Sequence, residues 1–138
     1  MSNAIKIQSE TVKRIREEFS KPKRCHGNNY SDLDSYCVLG AVFKYARLYM
    51  PDLLSCVVPT KRRDKESMAK FLDRSVQRFP GIVSAGDLLC RLNCSLDNNK
   101  ACRYANEIVR LNDTSKFGQA WGKLSEALTY CSTAEEST

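Results

Sequence analysis

A thiol becomes a nucleophile when a histidine takes its proton and positive charge, or the N-terminus of a helix, steadies the thiolate. This sequence has one histidine, His26, and Cys37 follows it at the start of a long apolar stretch. The stretch has helical character and places Cys37 in its first turn, where aligned N–H groups favour a charged sulfur. Asn112 or Asp113 supplies a third group to orient the imidazole. Cys37, His26 and Asp113 therefore form the candidate catalytic set of a cysteine-dependent enzyme. Against that reading, no family-specific nucleophile motif surrounds Cys37, and a cysteine on an apolar helix face ordinarily packs as a small hydrophobe. Cys102 and Cys131 read the same way.

Cys90 and Cys94 lie one helical turn apart and suit a shared ion, with Cys102, Cys25 or His26 to complete four ligands. Structural zinc sites show short-spaced ligand pairs in two places. Here the second pair would have to be the adjacent Cys25 and His26, so no metal ligand is assigned and no cofactor is expected. Glycine-rich phosphate loops, paired-histidine zinc motifs and nucleophile elbows are missing from the sequence, which leaves the common cofactor-dependent and hydrolytic classes without support.

Binding has a broader footing. The net charge is +6 and uneven: residues 1–24 carry seven Lys/Arg against three Glu, and residues 61–78 carry seven against three acids. Within them Lys21, Lys23 and Arg24 form one basic cluster and Lys61, Arg62 and Arg63 another, both suited to a polyanion or an acidic protein surface. The sequence shows no interleaving of aromatic and basic residues of the kind that makes a single-strand platform. The seven cysteines are an odd number, and no apolar run of signal-peptide or membrane-spanning length is present, so the chain is expected in the cytoplasm with its thiols free.

The elements that must position these residues follow from periodicity. Ser35 to Met50 is apolar on nearly every face except at Lys44 and Arg47, which predicts a helix enclosed by neighbours on several sides. Gly40 and Ala41 at its middle suit the close approach of another backbone. Before it, Ser9–Ser20 reads as an amphipathic helix capped by Ser9 and stopped by Pro22, then a long loop through His26 with Asp32 or Asp34 as the next cap. After it, Leu53–Val58 reads as a helical turn or an irregular packed segment. Met68, Phe71, Leu72, Ser75, Val76 and Phe79 share one helical face, with Asp64 as a cap. A short helix over Ser84–Asn93, a turn and cap at Leu96–Lys100, a helix from Ala101 to about Asn112 and a last one with Phe117, Ala120, Trp121, Leu124, Leu128 and Cys131 on one face complete the chain. Thr114 or Ser115 caps the last helix. The expected fold is all-α: a compact single-domain bundle of about five to six helices around a buried central helix, spanning 1–131 with a frayed polar tail at 132–138.

Tyr36-Cys-Val-Leu-Gly-Ala41, with Ile108-Val-Arg-Leu-Asn-Asp113 and the Phe117–Leu128 segment, resembles an uncharacterised family of small helical proteins from bacteria and their phages. That family shows a C-x-x-G-A stretch and, near its end, an aliphatic helix running into an aromatic-Asn-Asp turn. This chain departs at Cys25, where an aromatic residue is usual, and at Leu111, where an aromatic precedes Asn-Asp. Residues 51–95 have no counterpart. The resemblance implies an all-α fold and a phage or bacterial setting (host cytoplasm if phage-encoded), and brings no activity. For the shared residues the expectation is structural: Asn112-Asp113 caps the last helix against the start of the central one, so that Asp113→Ala costs about 1 kcal/mol. The preferred functional expectation is a macromolecular binding module without catalysis, its partner a host protein. A cysteine enzyme and a nucleic-acid-binding protein are the alternatives.

Overall fold

The structure, a computed structural model, describes residues 2–19, 37–57, 61–68, 70–71, 74 and 82–131. His26, Cys25, Lys21, Lys23, Arg24 and the expected tail lie outside these residues. So does most of the 68–79 segment, of which Met68, Lys70, Phe71 and Arg74 are described and helical. Six helices are delimited: α1 (Ser2–Glu18), α2 (Val38–Tyr49), α3 (Pro51–Val57), α4 (Ile82–Leu92), α5 (Asn98–Asp113) and α6 (Phe117–Thr129). No strand occurs among the described residues, and the helices pack on one another as an all-α bundle.

The centre of the bundle is α2. Val38, Leu39, Gly40, Ala41, Val42, Phe43, Tyr45 and Ala46 are buried, and α1, α3, α5 and α6 pack against the helix. Burying side chains such as Phe43 and Leu39 contributes about 1.5–3 kcal/mol each. The enclosure stops short of the C-terminal turn, where Leu48 is 48% and Tyr49 43% exposed. Apolar composition at that end does not produce burial. Instead a polar clasp covers Tyr49. Its hydroxyl donates to the Glu18 carboxylate at 2.8 Å, Arg14 Nε donates to the same group at 3.0 Å, and the guanidinium lies 4.0 Å from the Tyr49 ring centroid. The Tyr49 hydrogen bond first, then Arg14, holds the Glu18 carboxyl below its usual range.

Several boundaries differ from the sequence expectation for identifiable reasons. Helix α1 starts at Ser2, not after Ser9, since no glycine or proline interrupts residues 2–9. Pro51 opens α3 rather than merely closing α2: at the first helical position its missing N–H costs nothing. The cap ahead of Met68 is Ser67, whose hydroxyl accepts from Lys70 N–H at 3.2 Å, so Asp64 does not serve there. Met68 itself is 40% exposed, whereas Phe71 is buried.

Helices α4 and α5 approach closely at Gly86. A Cβ built on Gly86 would lie 2.7 Å from Cys102 Sγ and 3.1 Å from the Cys102 backbone nitrogen. Only glycine admits that approach without displacement. Two asparagines then lock the frame. Asn93, 2% exposed, donates to the carbonyls of Ala127 and Tyr130, both at 2.9 Å, and accepts from Ser95 N–H, closing the end of α6 onto the α4–α5 turn. Asn112, also 2% exposed, does the corresponding work at the start of α2.

Candidate functional site

At the N-terminus of α2, Cys37 is the N-cap residue itself rather than part of the first turn, with the extended backbone (φ −68°, ψ 166°) that caps adopt. Its sulfur accepts from Gly40 N–H at 3.3 Å, and the residue is 3% exposed. The next free amide, Val38 N–H, donates to Asn112 Oδ1 at 2.9 Å. A helix start leaves such amides without intrahelical partners, and here a thiol and an amide side chain satisfy two of them. The structure therefore brings Asn112 to the residue that follows Cys37, where it bonds to backbone.

The capping role expected for Asn112-Asp113 lands on the wrong helix in the sequence reading. Helix α6 begins after Lys116 with no side-chain cap. Asn112 and Asp113 still belong to the last turn of α5, and Asn112 reaches across to α2. Thr114 closes α5 instead of opening α6, its hydroxyl donating to the carbonyls of Arg110 and Leu111. Ser115 takes a left-handed φ of 62°, with Ser115 N–H on Asn112 O and Lys116 N–H on Leu111 O. That paired pattern is a Schellman ending, and it fixes the turn that carries Asn112. Asp113 Oδ1 is buried without a hydrogen-bond partner. A cap lost by Asp113→Ala is therefore not expected.

Of the cysteines weighed as metal ligands, Cys25 lies outside the described residues, and Cys90 and Cys102 are near enough to interact. Cys90 on α4 donates to Asn98 Oδ1 at 3.4 Å, and burial first, then Asp87, pushes its thiol up. Cys94 lies exposed on the turn after α4. Among the described residues no group of three or more His, Cys, Asp or Glu is placed to hold a metal ion.

Of the basic clusters, Lys61, Arg62 and Arg63 are exposed in a segment without regular secondary structure. Part of it is tied to the helical residues that follow: Arg74 donates to Glu66 and to the Lys61 carbonyl, and Arg63 N–H donates to Glu66. Arg74 first, then the Arg63 amide, lowers the Glu66 carboxyl to about 2.

A different basic surface appears between α5 and α6. Lys100, Arg103, Tyr104 and Glu107 recur at i, i+3, i+4 and i+7 and so share one face of α5. With Lys123 of α6 and Tyr130 just beyond it, they line an open groove of about 420 Å³. Lys100 Nζ stands 5.4 Å from the Tyr130 ring centroid and Lys123 Nζ 5.9 Å from that of Tyr104, both within cation–π range. Glu107 is engaged by Arg110, whose hydrogen bond is the main cause of its lowered carboxyl. Lys123 donates to Glu126 at 3.0 Å. Among the described residues Arg103 has no ion pair or side-chain hydrogen bond. The groove thus joins cations to aromatic rings, a combination that the sequence does not show along the chain. Sequence spacing on α5 held half of the signal; the other half comes from a facing helix.

Comparison with protein-family models, with curated proteins and with solved structures finds no match for this chain.

Proposed function

We propose that this protein is a macromolecular binding module without chemistry of its own, and that the α5–α6 groove is its contact surface for an anionic partner. The observation that carries the reading is the grouping of Lys100, Arg103 and Lys123 beside two tyrosines in one open concavity. A cluster of cations with Arg103 unpaired costs self-repulsion, which an anionic partner relieves. The cysteine-enzyme reading has less to stand on. The Cys37 sulfur is buried and already used as a helix cap.

In the phage or bacterial setting that the sequence resemblance implies, an acidic host protein and a nucleic acid are the two partner classes. No helix among the described residues is long and apolar enough to cross a membrane. The test is capture from bacterial lysate by the wild-type chain and by the double variant Arg103→Glu, Lys123→Glu, each with and without nuclease. The expected result is a partner held by the wild type and lost by the variant. Equal capture by both proteins rejects the groove as the contact surface.

A further inference from the structure

Resting on the reading of the groove as an anion-binding surface, we propose that its ligand is a nucleotide unit, with phosphate on the cations and the base on a tyrosine ring. The argument begins with what already occupies the rings. Lys100 lies over Tyr130, and Lys123, which also donates to Glu126, lies over Tyr104, each ammonium on the negative face of a π-system. A carboxylate-rich peptide offers nothing to those faces, which repel an anion. A nucleotide offers both halves of an exchange: its phosphate draws a lysine off the ring, and its base stacks on the face that the lysine leaves. Every base has a π-face, so the site needs no particular sequence.

The remaining groups fit the same ligand. Arg103 presents an unpaired guanidinium between Lys100 and Tyr104 along α5, and its planar fork suits phosphate oxygens. Glu107 would repel a phosphate if its charge stood alone, but Arg110 neutralises it. Its carboxylate accepts hydrogen bonds, which suits the N–H groups of a base or a sugar hydroxyl. The volume of about 420 Å³ lies within the range of small-ligand sites. Both the free mononucleotide and a unit of a single strand carry this chemistry.

The deciding experiment is fluorescence anisotropy with a labelled oligothymidylate over a salt series, using the full chain. Wild-type protein is expected to bind, with a log K against log salt slope that Arg103→Ala lowers in magnitude by about 0.7, the share of one phosphate on a single strand. Tyr104→Leu, which keeps apolar bulk for folding, is expected to weaken binding about tenfold with the slope unchanged. Melting of both variants near the wild-type temperature confirms that they are folded. Unlabelled dTMP distinguishes the sources: displacement at comparable concentration assigns the free nucleotide, and failure to displace assigns the strand. An oligoglutamate of equal length separates this inference from the reading beneath it. If oligoglutamate binds the groove as well as the oligonucleotide does, or if Tyr104→Leu has no effect, the nucleotide proposal is overturned and the anion-binding surface survives. Binding of neither probe overturns both.

Discussion

Helix α5 is used in opposite ways at its two ends. Its last turn delivers Asn112 to the amide of Val38, where the polar group is buried and its charge-free hydrogen bond completes the start of α2. Its first three turns carry Lys100, Arg103 and Glu107 into an open groove, where Arg103 forms no ion pair with any of the described residues. The residues at both ends are polar and helical, yet one end satisfies the fold and the other is left over from it. The lesson is that a functional surface on this protein should be sought where polar groups exceed what the helix ends and neighbours need. Cys37 looks the more chemical residue in isolation, but it belongs to the satisfied end.

The contrast has measurable consequences. Removing Asn112 breaks the closed end most directly: Asn112→Ala leaves Val38 N–H buried without its acceptor and should cost about 1–3 kcal/mol, read from urea unfolding midpoints. A loss below about 0.5 kcal/mol would mean that the bond across the bundle contributes little. Next comes Cys37→Ala, expected to cost about 1 kcal/mol as a lost cap. Cys37→Ser should hold most of that stability, since a hydroxyl accepts from the same amide. Native thiol labelling should modify exposed Cys94 before buried Cys37, which reacts only on unfolding; fast labelling of Cys37 would reopen the enzyme reading.

A smaller effect runs the other way. Ser115→Gly relieves a left-handed backbone and should stabilise by about 0.5–1 kcal/mol, shown as a raised thermal midpoint. At the open end, Arg103→Ala should change stability by less than about 0.5 kcal/mol, as expected of a charge that supports no part of the fold. A larger loss would place Arg103 in the frame and weaken the distinction between the two ends.

Much of the frame was legible from local pattern. The apolar run of residues 38–46 announces a buried helix, and Ala120, Trp121, Leu124 and Leu128 fall on one face and are buried. Within the turn and cap expected at Leu96–Lys100, the capping residue is Asp97, which accepts from Lys100 N–H at 2.7 Å. Where the reading missed, the deciding group came from far along the chain. The sequence sets Asn112-Asp113 against the start of the central helix but gives the cap to the last one; that Asn112 instead satisfies Val38 N–H, seventy-four positions away, no local pattern says. Asn93 gave no local sign that it closes the end of α6, because the carbonyls it meets belong to another helix.

The sequence by itself determined that this chain is helical, which faces of its helices turn inward, and that it carries excess positive charge, because periodicity and composition are properties of neighbouring residues. Tertiary structure alone decided which polar residues are spent on holding helix ends and which remain for a partner. Hydrogen bonds such as Asn112 to Val38, and assemblies such as Lys123 beside Tyr104, join residues on different helices. No local period encodes them.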